Sequence, residues 1–333
     1  MTTPLPPTPP ATSGREPAPA PESLLYHYTG NQGLLGIVQN QCLWATRAQY
    51  LNDAKELAHT YDIALSLLEE FEHRNPSGIA AFRGYLNGLA GHHTAYIFLS
   101  SLSERGDSLS QWRAYGRAGD SYSLGFVHDE LADAAAGAGW RLASCVYALE
   151  DQQRLVRTHL EAFCTAFELG RYGPDPDPDP ASRFLRYCYA ELLNIAPLIK
   201  HAAFEEEREW RLISPIAEAG IQYRVGRQSL VPSIIFKLPA FNGTLRIPQT
   251  IVGPGGADSS GASDALVSLY NDFHVRTGQS SSVAFRTETG ERFARAVRTS
   301  CRGTPQPDIP SGALGVALTM CEVCQPGLPT VMP

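Results

Sequence analysis

Glu207-Arg208-Glu209-Trp210-Arg211-Leu212-Ile213 reads as a half-buried β-strand. Its period of two puts Glu207, Glu209 and Arg211 on one face and turns Trp210 and Leu212 to the other. Upstream, Lys200-His201 and Phe204-Glu205-Glu206 form a polar lead-in, and downstream the sequence becomes apolar and β-prone again. The charged face lies either on water or in a cleft. Charged side chains are mostly exposed, so water is the first expectation.

Length and composition bound the rest. The 333 residues, 43% of them hydrophobic, are enough for a sizeable core in one large or two small domains. A net charge of -7 argues against general adhesion to nucleic acid or anionic membrane. Seven cysteines are too few for a disulfide scaffold in a chain of this length, so reduced thiols and a cytoplasmic location are expected. No apolar run approaches the roughly 20 residues that span a bilayer, and no basic start precedes an apolar core.

Residues 1–22 hold eight prolines and almost no large apolar side chains, which predicts a disordered arm. Order is expected from Leu24-Leu25-Tyr26-His27-Tyr28, a strand followed by a capping box of Thr29 with Gln32. Leu34, Leu35, Ile37 and Val38 give the next helix its apolar face, and a strand follows from Cys42 to Thr46. After the turn Leu51-Asn52-Asp53, the spacing of Leu57, Tyr61, Ala64, Leu65, Leu68 and Phe71 predicts one long helix. Strands are expected at 95–99, 122–127, 208–214, 221–225, 231–237, 248–253 and 281–286, and helices at 149–169, 182–199 and 262–273. The alternate prolines of 173–180 make a stiff connector, not a calcium loop, because the glycine and terminal glutamate of such a loop are missing. The tail from Gly303 is mostly irregular, with only Ala313 to Met320 able to order. The pattern therefore predicts an α+β (mixed α/β) domain over 23–302 on a single central sheet, with a helical insertion at about 149–200.

Several residues could carry chemistry. His27 precedes a helix start whose free N–H groups could hold a polar ligand, although a histidine in a strand is more often structural. In Ser108 to Gly116, Trp112 and Tyr115 share a helix face at i,i+3, which makes either core packing or an aromatic wall. Cys321-Glu322-Val323-Cys324 is half a zinc site without a matching second half, so no metal is expected. Arg286, Arg292, Arg295, Arg298 and Arg302 read as a solvated helix face, with nucleic-acid contact as the alternative. Phosphate-loop, dinucleotide-glycine and nucleophile-elbow signatures are absent from the sequence.

Seven segments, in order, carry a family resemblance. They are Leu25-Tyr26-His27-Tyr28-Thr29, Leu43-Trp44 through Leu51-Asn52-Asp53, Phe98-Leu99-Ser100-Ser101-Leu102-Ser103, Ser110 through Gly116 with Gly125-Phe126, Val146-Tyr147, Phe204 through Arg211, and Ile251-Val252-Gly253-Pro254. Together they resemble the bacterial domain of unknown function family DUF2971 over residues 24 to about 286. Its first strand, helix and second strand also look like the opening of the ADP-ribosyltransferase fold.

That wider resemblance implies NAD as substrate, a first-strand histidine on the ribose, an aromatic on nicotinamide and a late-strand glutamate beside the scissile bond. The matching positions are His27 and Glu209, with Glu207 as the alternative glutamate, and Tyr28, Trp44, Tyr50, Trp112 and Tyr115 compete for the aromatic role. Thr29, Asn52 and Arg211 complete the implied dinucleotide contacts, with Arg211 either keeping Glu209 ionised or gripping the pyrophosphate. His27 and Glu209 are then expected in one pocket, and Glu209→Gln is expected to cut turnover by roughly two to three orders of magnitude while hardly touching stability. The resemblance implies an ADP-ribosyltransferase-like modifier of a protein or nucleic-acid acceptor, in a defence or toxin-like role, with no membrane partner. The alternatives are a non-catalytic ligand-sensing module and an RNA-directed enzyme, the latter marked by strong salt dependence.

Overall fold

The computed structural model describes residues 23–51, 56–88, 96–115, 121–170, 179–217, 219–226, 229–254, 259–277, 282–286 and 292–296. The expectations for the proline-rich arm, Asn52, most of the Asp-Pro connector and the tail beyond residue 303 lie outside these residues.

The chain opens with β1 (Leu24–Thr29), α1 (Asn31–Asn40) and β2 (Cys42–Arg47). Two helices, α2 (Glu56–Leu67) and α3 (Pro76–Gly88), lead to β3 (Phe98–Ser103), α4 (Leu109–Tyr115) and β4 (Tyr122–Val127). Next come α5 (His128–Gly137), β5 (Arg141–Ser144), and the helices α6 (Leu149–Glu168) and α7 (Pro180–Ile195). β6 (Glu209–Ile213), β7 (Gln222–Val225) and β8 (Leu230–Lys237) follow, then a hairpin of β9 (Ala240–Phe241) and β10 (Thr244–Leu245). β11 (Gln249–Val252), α8 (Ser259–Asp272), β12 (Ser282–Arg286) and β13 (Arg292–Ala296) complete the order.

Eleven strands form one sheet in the order β13-β12-β11-β4-β1-β3-β2-β8-β7, with β6 also on β3 and β5 on β6. β11 and β12 run parallel, whereas the pairs around β3 are antiparallel. The protein is thus mixed α/β, with a large, mainly antiparallel sheet and several helices.

β6 covers one edge of β3 from Leu99 to Ser103. The opposite edge is divided: β1 meets it at Ser103, and β2 meets it at Leu99 and Phe98. The sheet therefore forks between β1 and β2.

Alternation along the strands separates two cores. Leu99 and Ile213 join the helices α2, α3, α6 and α7 in one apolar cluster. Leu102 and Leu212, one residue away, join Leu25, Leu43, Leu124, Phe126 and Phe236 in the other, with α1, α5 and α8. The helical segment 149–195 is thus a layer on one face of the sheet, and the apolar stripe of α6 (Val156, Leu160, Phe163) is what docks it.

Several local expectations need correction. The capping box does not form: α1 starts from Gly30 without a side-chain cap, and Thr29 instead lies over Gly33. The strand expected at 95–99 runs from Phe98 to Ser103, because its serines take part in the ladder despite their weak β-propensity. The long helix after residue 52 ends as a 3-10 turn at Leu68–Phe71, and α3 is a separate helix. Arg292–Ala296 is a strand paired with β12 and not a helix face.

Gly253 shows how close the packing is around α4. A Cβ there would lie 2.1 Å from Ser121 Oγ and 2.9 Å from the ring of buried Trp112. Gly253→Ala is expected to lower stability by about 1–3 kcal/mol in urea unfolding through overpacking. An unchanged midpoint would show that the Ser121 and Trp112 side chains move aside freely.

Candidate functional site

The entry to β6 explains the geometry of its charges. A 3-10 turn at Ala202–Glu207 ends at Arg208 in the left-handed region, φ 45°. That kink, uncommon for a residue with a Cβ, takes Glu207 out of the strand. Ser103 Oγ donates to Glu207 O at 2.6 Å, and Glu104 N donates to Arg208 O at 3.1 Å, so β3 holds the kink in place.

Glu207 and Glu209 nevertheless meet at the same cation. Lys200 Nζ donates to Glu207 Oε2 at 2.6 Å and to Glu209 Oε2 at 2.7 Å. Arg211 Nη2 donates to the same Oε2 at 2.9 Å, while its Nη1 donates to Pro197 O at 2.8 Å. Cys145 Sγ is 3.7 Å from Oε2, and Glu209 N donates to Tyr147 Oη at 2.8 Å. Among the described residues every contact of this carboxylate falls on Oε2 and none on Oε1.

This overturns the expectation that the charged face meets water. Glu209 is 4% exposed and Arg211 2% exposed. Arg211 therefore orients and charges Glu209 and does not reach out to a pyrophosphate. Burial, the largest single influence, raises the Glu209 pKa, but Arg211 and Lys200 together outweigh it and bring the value down to about 2. Burial likewise lowers Lys200, and Glu209 and Glu207 more than compensate, leaving it above its usual value.

Gln152 fixes the frame around this cluster. Nearly fully buried on α6, its Nε2 donates to the carbonyls of Val146, Tyr147 and Lys200 at 2.8, 3.1 and 2.7 Å. Its Oε1 is therefore the acceptor for His59 Nε2 at 3.0 Å. Cys145 and Tyr147 also line a cavity of about 610 Å³, rimmed by Asp151, Arg154 and Thr158 of α6 and by Glu205.

The aromatic candidates divide. Trp112 is buried, stacked edge-on to Tyr28 with ring centres 4.7 Å apart, and its Nε1 donates to Asp107. Tyr28 Oη donates to Arg105 O and accepts from Ser108 N, so both rings belong to the packing of α4 on β1. Tyr115 does not share that environment: it is 44% exposed, its hydroxyl pKa is pushed up to about 12 by burial of the phenol oxygen, and Glu209 adds to the rise. Trp44 is half-buried on β2, and Tyr50 is exposed.

His27 lies elsewhere than expected. Tyr26 pairs with Ser103 and Ser103 with Glu209, so Tyr26 and Tyr28 share the face of Glu209 and His27 does not. Its ring bridges the fork, Nδ1 lying 2.9 Å from the carbonyl of Ser101. Burial lowers its pKa and the charge of Arg224 lowers it further. A neutral ring bonded to a carbonyl through Nδ1 carries its proton there, which leaves Nε2 as an acceptor. His27 and Glu209 thus occupy two neighbourhoods flanking β3, and neither lines the 610 Å³ cavity.

The ion cluster, its frame and Tyr115 all fall within residues 111–212, and these residues match the family model described as protein of unknown function (DUF2971). β1 and β2, with His27, Tyr28 and Trp44, lie outside the match. Comparison with curated proteins and with solved structures gave no match.

Sequence reasoning reached Glu209, Glu207 and Arg211 through the strand period but missed Lys200, Tyr147 and Gln152 as their partners. Gln152 carried one usable signal: it is a polar residue on the apolar stripe of α6, where only a satisfied amide is tolerated.

Because Glu209 titrates near 2 in the fold and at its usual 4.5 otherwise, the stability it contributes is complete above 4.5 and is lost as pH falls from 4.5 towards 2. Glu209→Gln is therefore expected to lower stability by about 3–5 kcal/mol at neutral pH, contrary to the sequence expectation. It should also flatten acid unfolding in that window. Urea midpoints measured against pH check this, and parallel curves for the two proteins would contradict it.

Proposed function

We propose that this chain is an ADP-ribosyltransferase-like enzyme that uses NAD, with Glu209 stabilising the charge that develops on the ribose. The observation that supports this reading best is the asymmetry of the Glu209 carboxylate. Oε2 is saturated by Lys200 and Arg211, and Oε1 takes no partner among the described residues. A carboxylate needed only for an ion pair has no use for an ionised oxygen held open beside an exposed aromatic.

In this reading the nicotinamide–ribose bond breaks, nicotinamide leaves with the bonding electrons, and positive charge spreads over the ribose ring and anomeric carbon. Glu209, kept ionised by its cations, lowers the energy of that state, and an acceptor nucleophile then attacks the anomeric carbon. Glu207, less buried than Glu209 and tied to the same lysine, sits where it can take the acceptor's proton. Tyr115 is the aromatic best exposed to meet nicotinamide, and His27 Nε2 accepts a sugar hydroxyl from the fork. The forked sheet is read as an ADP-ribosyltransferase-like fold, and the free buried thiols of Cys42, Cys145, Cys164 and Cys188 agree with a cytoplasmic enzyme. The acceptor class is protein or nucleic acid. The described helices include none long and apolar enough to cross a membrane.

A second reading has one observation in its favour. Two cations already neutralise Glu209, and the same arrangement serves a ligand-sensing module that binds the dinucleotide without cleaving it.

Release of nicotinamide from NAD by the full chain decides between them. The enzyme reading expects turnover in the native protein and a loss of about 10²–10³-fold in Glu209→Gln, assayed where circular dichroism shows that variant folded. Tyr115→Ala should keep the fold, since Tyr115 is 44% exposed, and raise KM more than it lowers kcat, whereas Tyr115→Phe, which keeps the ring, should stay near native. NAD binding without nicotinamide release would establish the sensing reading instead, and neither binding nor release would end both.

A further inference from the structure

We propose that the fork between β1 and β2 contains an anion subsite, built by Arg224 and the hydroxyl of Thr46, that takes the pyrophosphate of the dinucleotide. This rests on the NAD reading above and assigns a contact that Arg211 cannot make.

The register places the two residues together. Thr46 of β2 pairs with Ser233 of β8, and Ser233 pairs with Gln222 of β7. Arg224, two residues along β7, shares the face of Gln222 and reaches back across β8, where its Nη2 donates to Thr46 Oγ1 at 2.7 Å.

Its charge is uncompensated among the described residues. Arg74, Arg83, Arg154, Arg157 and Arg246 each meet a carboxylate. Arg224 meets the Thr46 hydroxyl alone, and burial lowers its pKa without an acid to offset the effect. An exposed guanidinium held by a hydroxyl and facing no carboxylate among the described residues favours an anionic ligand.

Thr46 supplies the second donor. It is 6% exposed, and its oxygen accepts from Arg224, so its own proton is left to donate and finds no acceptor among the described residues. Guanidinium and hydroxyl together offer a phosphate several N–H and O–H donors. Several donors on one guanidinium and one hydroxyl suit the oxygens of a pyrophosphate better than a single carboxylate.

The test is calorimetric titration of the full chain with inorganic pyrophosphate and with ADP-ribose. The native protein should bind both, ADP-ribose more tightly, and Arg224→Ala should weaken both by at least about tenfold. Arg224 lies on an exposed edge strand, so urea unfolding should be unchanged, and Arg224→Lys and Thr46→Val should each retain partial binding. Absence of pyrophosphate binding, or equal binding to Arg224→Ala, would overturn the subsite. A single-stranded oligonucleotide that displaces ADP-ribose with higher affinity would overturn its assignment to a dinucleotide. If both ligands bind through Arg224 while the native protein releases no nicotinamide, the subsite stands and the transferase reading falls. If nicotinamide is released and Arg224→Ala changes neither affinity, the subsite falls alone.

Discussion

The buried contact of Glu209 with Lys200 and Arg211 is the constraint around which the candidate site is organised. Ionised side chains with this little exposure persist only where each charge is met and each remaining polar atom bonded. The surroundings supply most of this: Pro197 takes one Arg211 donor, Glu207 takes a Lys200 donor, and Tyr147 accepts the Glu209 amide. Gln152 in turn joins the backbones of Val146, Tyr147 and Lys200 across two segments that are far apart in sequence. The helical layer over the sheet is therefore part of the site and not an appendage, since α6 carries the amide that sets the position of Lys200.

A second constraint is the division of one strand edge between two partners. Because β1 leaves β3 at Ser103 and β2 joins it only at Leu99, the carbonyl of Ser101 between them has no ladder partner and receives His27 instead. The fork thereby turns a backbone requirement into a fixed imidazole tautomer. From the other branch of the sheet, Arg224 reaches back to the hydroxyl of Thr46.

The strand period in Glu209-Trp210-Arg211-Leu212 revealed the right side chains, because alternation is a local property that survives folding. What it could not reveal is which face is covered, since that depends on α6 and α7 docking from elsewhere in the chain. The helix spacing of Trp112 and Tyr115 likewise placed them near each other, yet tertiary packing buried one against Tyr28 and left the other open. His27 was legible as unusual, whereas its place in a fork was not, because forking depends on how β1 and β2 share β3. Arg224 gave no sequence signal at all: its significance comes from a hydroxyl two strands away and from the lack of a carboxylate partner among the described residues.

A crystal structure of the full chain with a non-cleavable NAD analogue tests the central claim most directly. The account predicts the nicotinamide ribose within hydrogen-bond distance of Glu209 Oε1, the base against Tyr115, and the pyrophosphate towards Arg224. An analogue bound away from β6, with Glu209 still closed within its ion cluster, would contradict it.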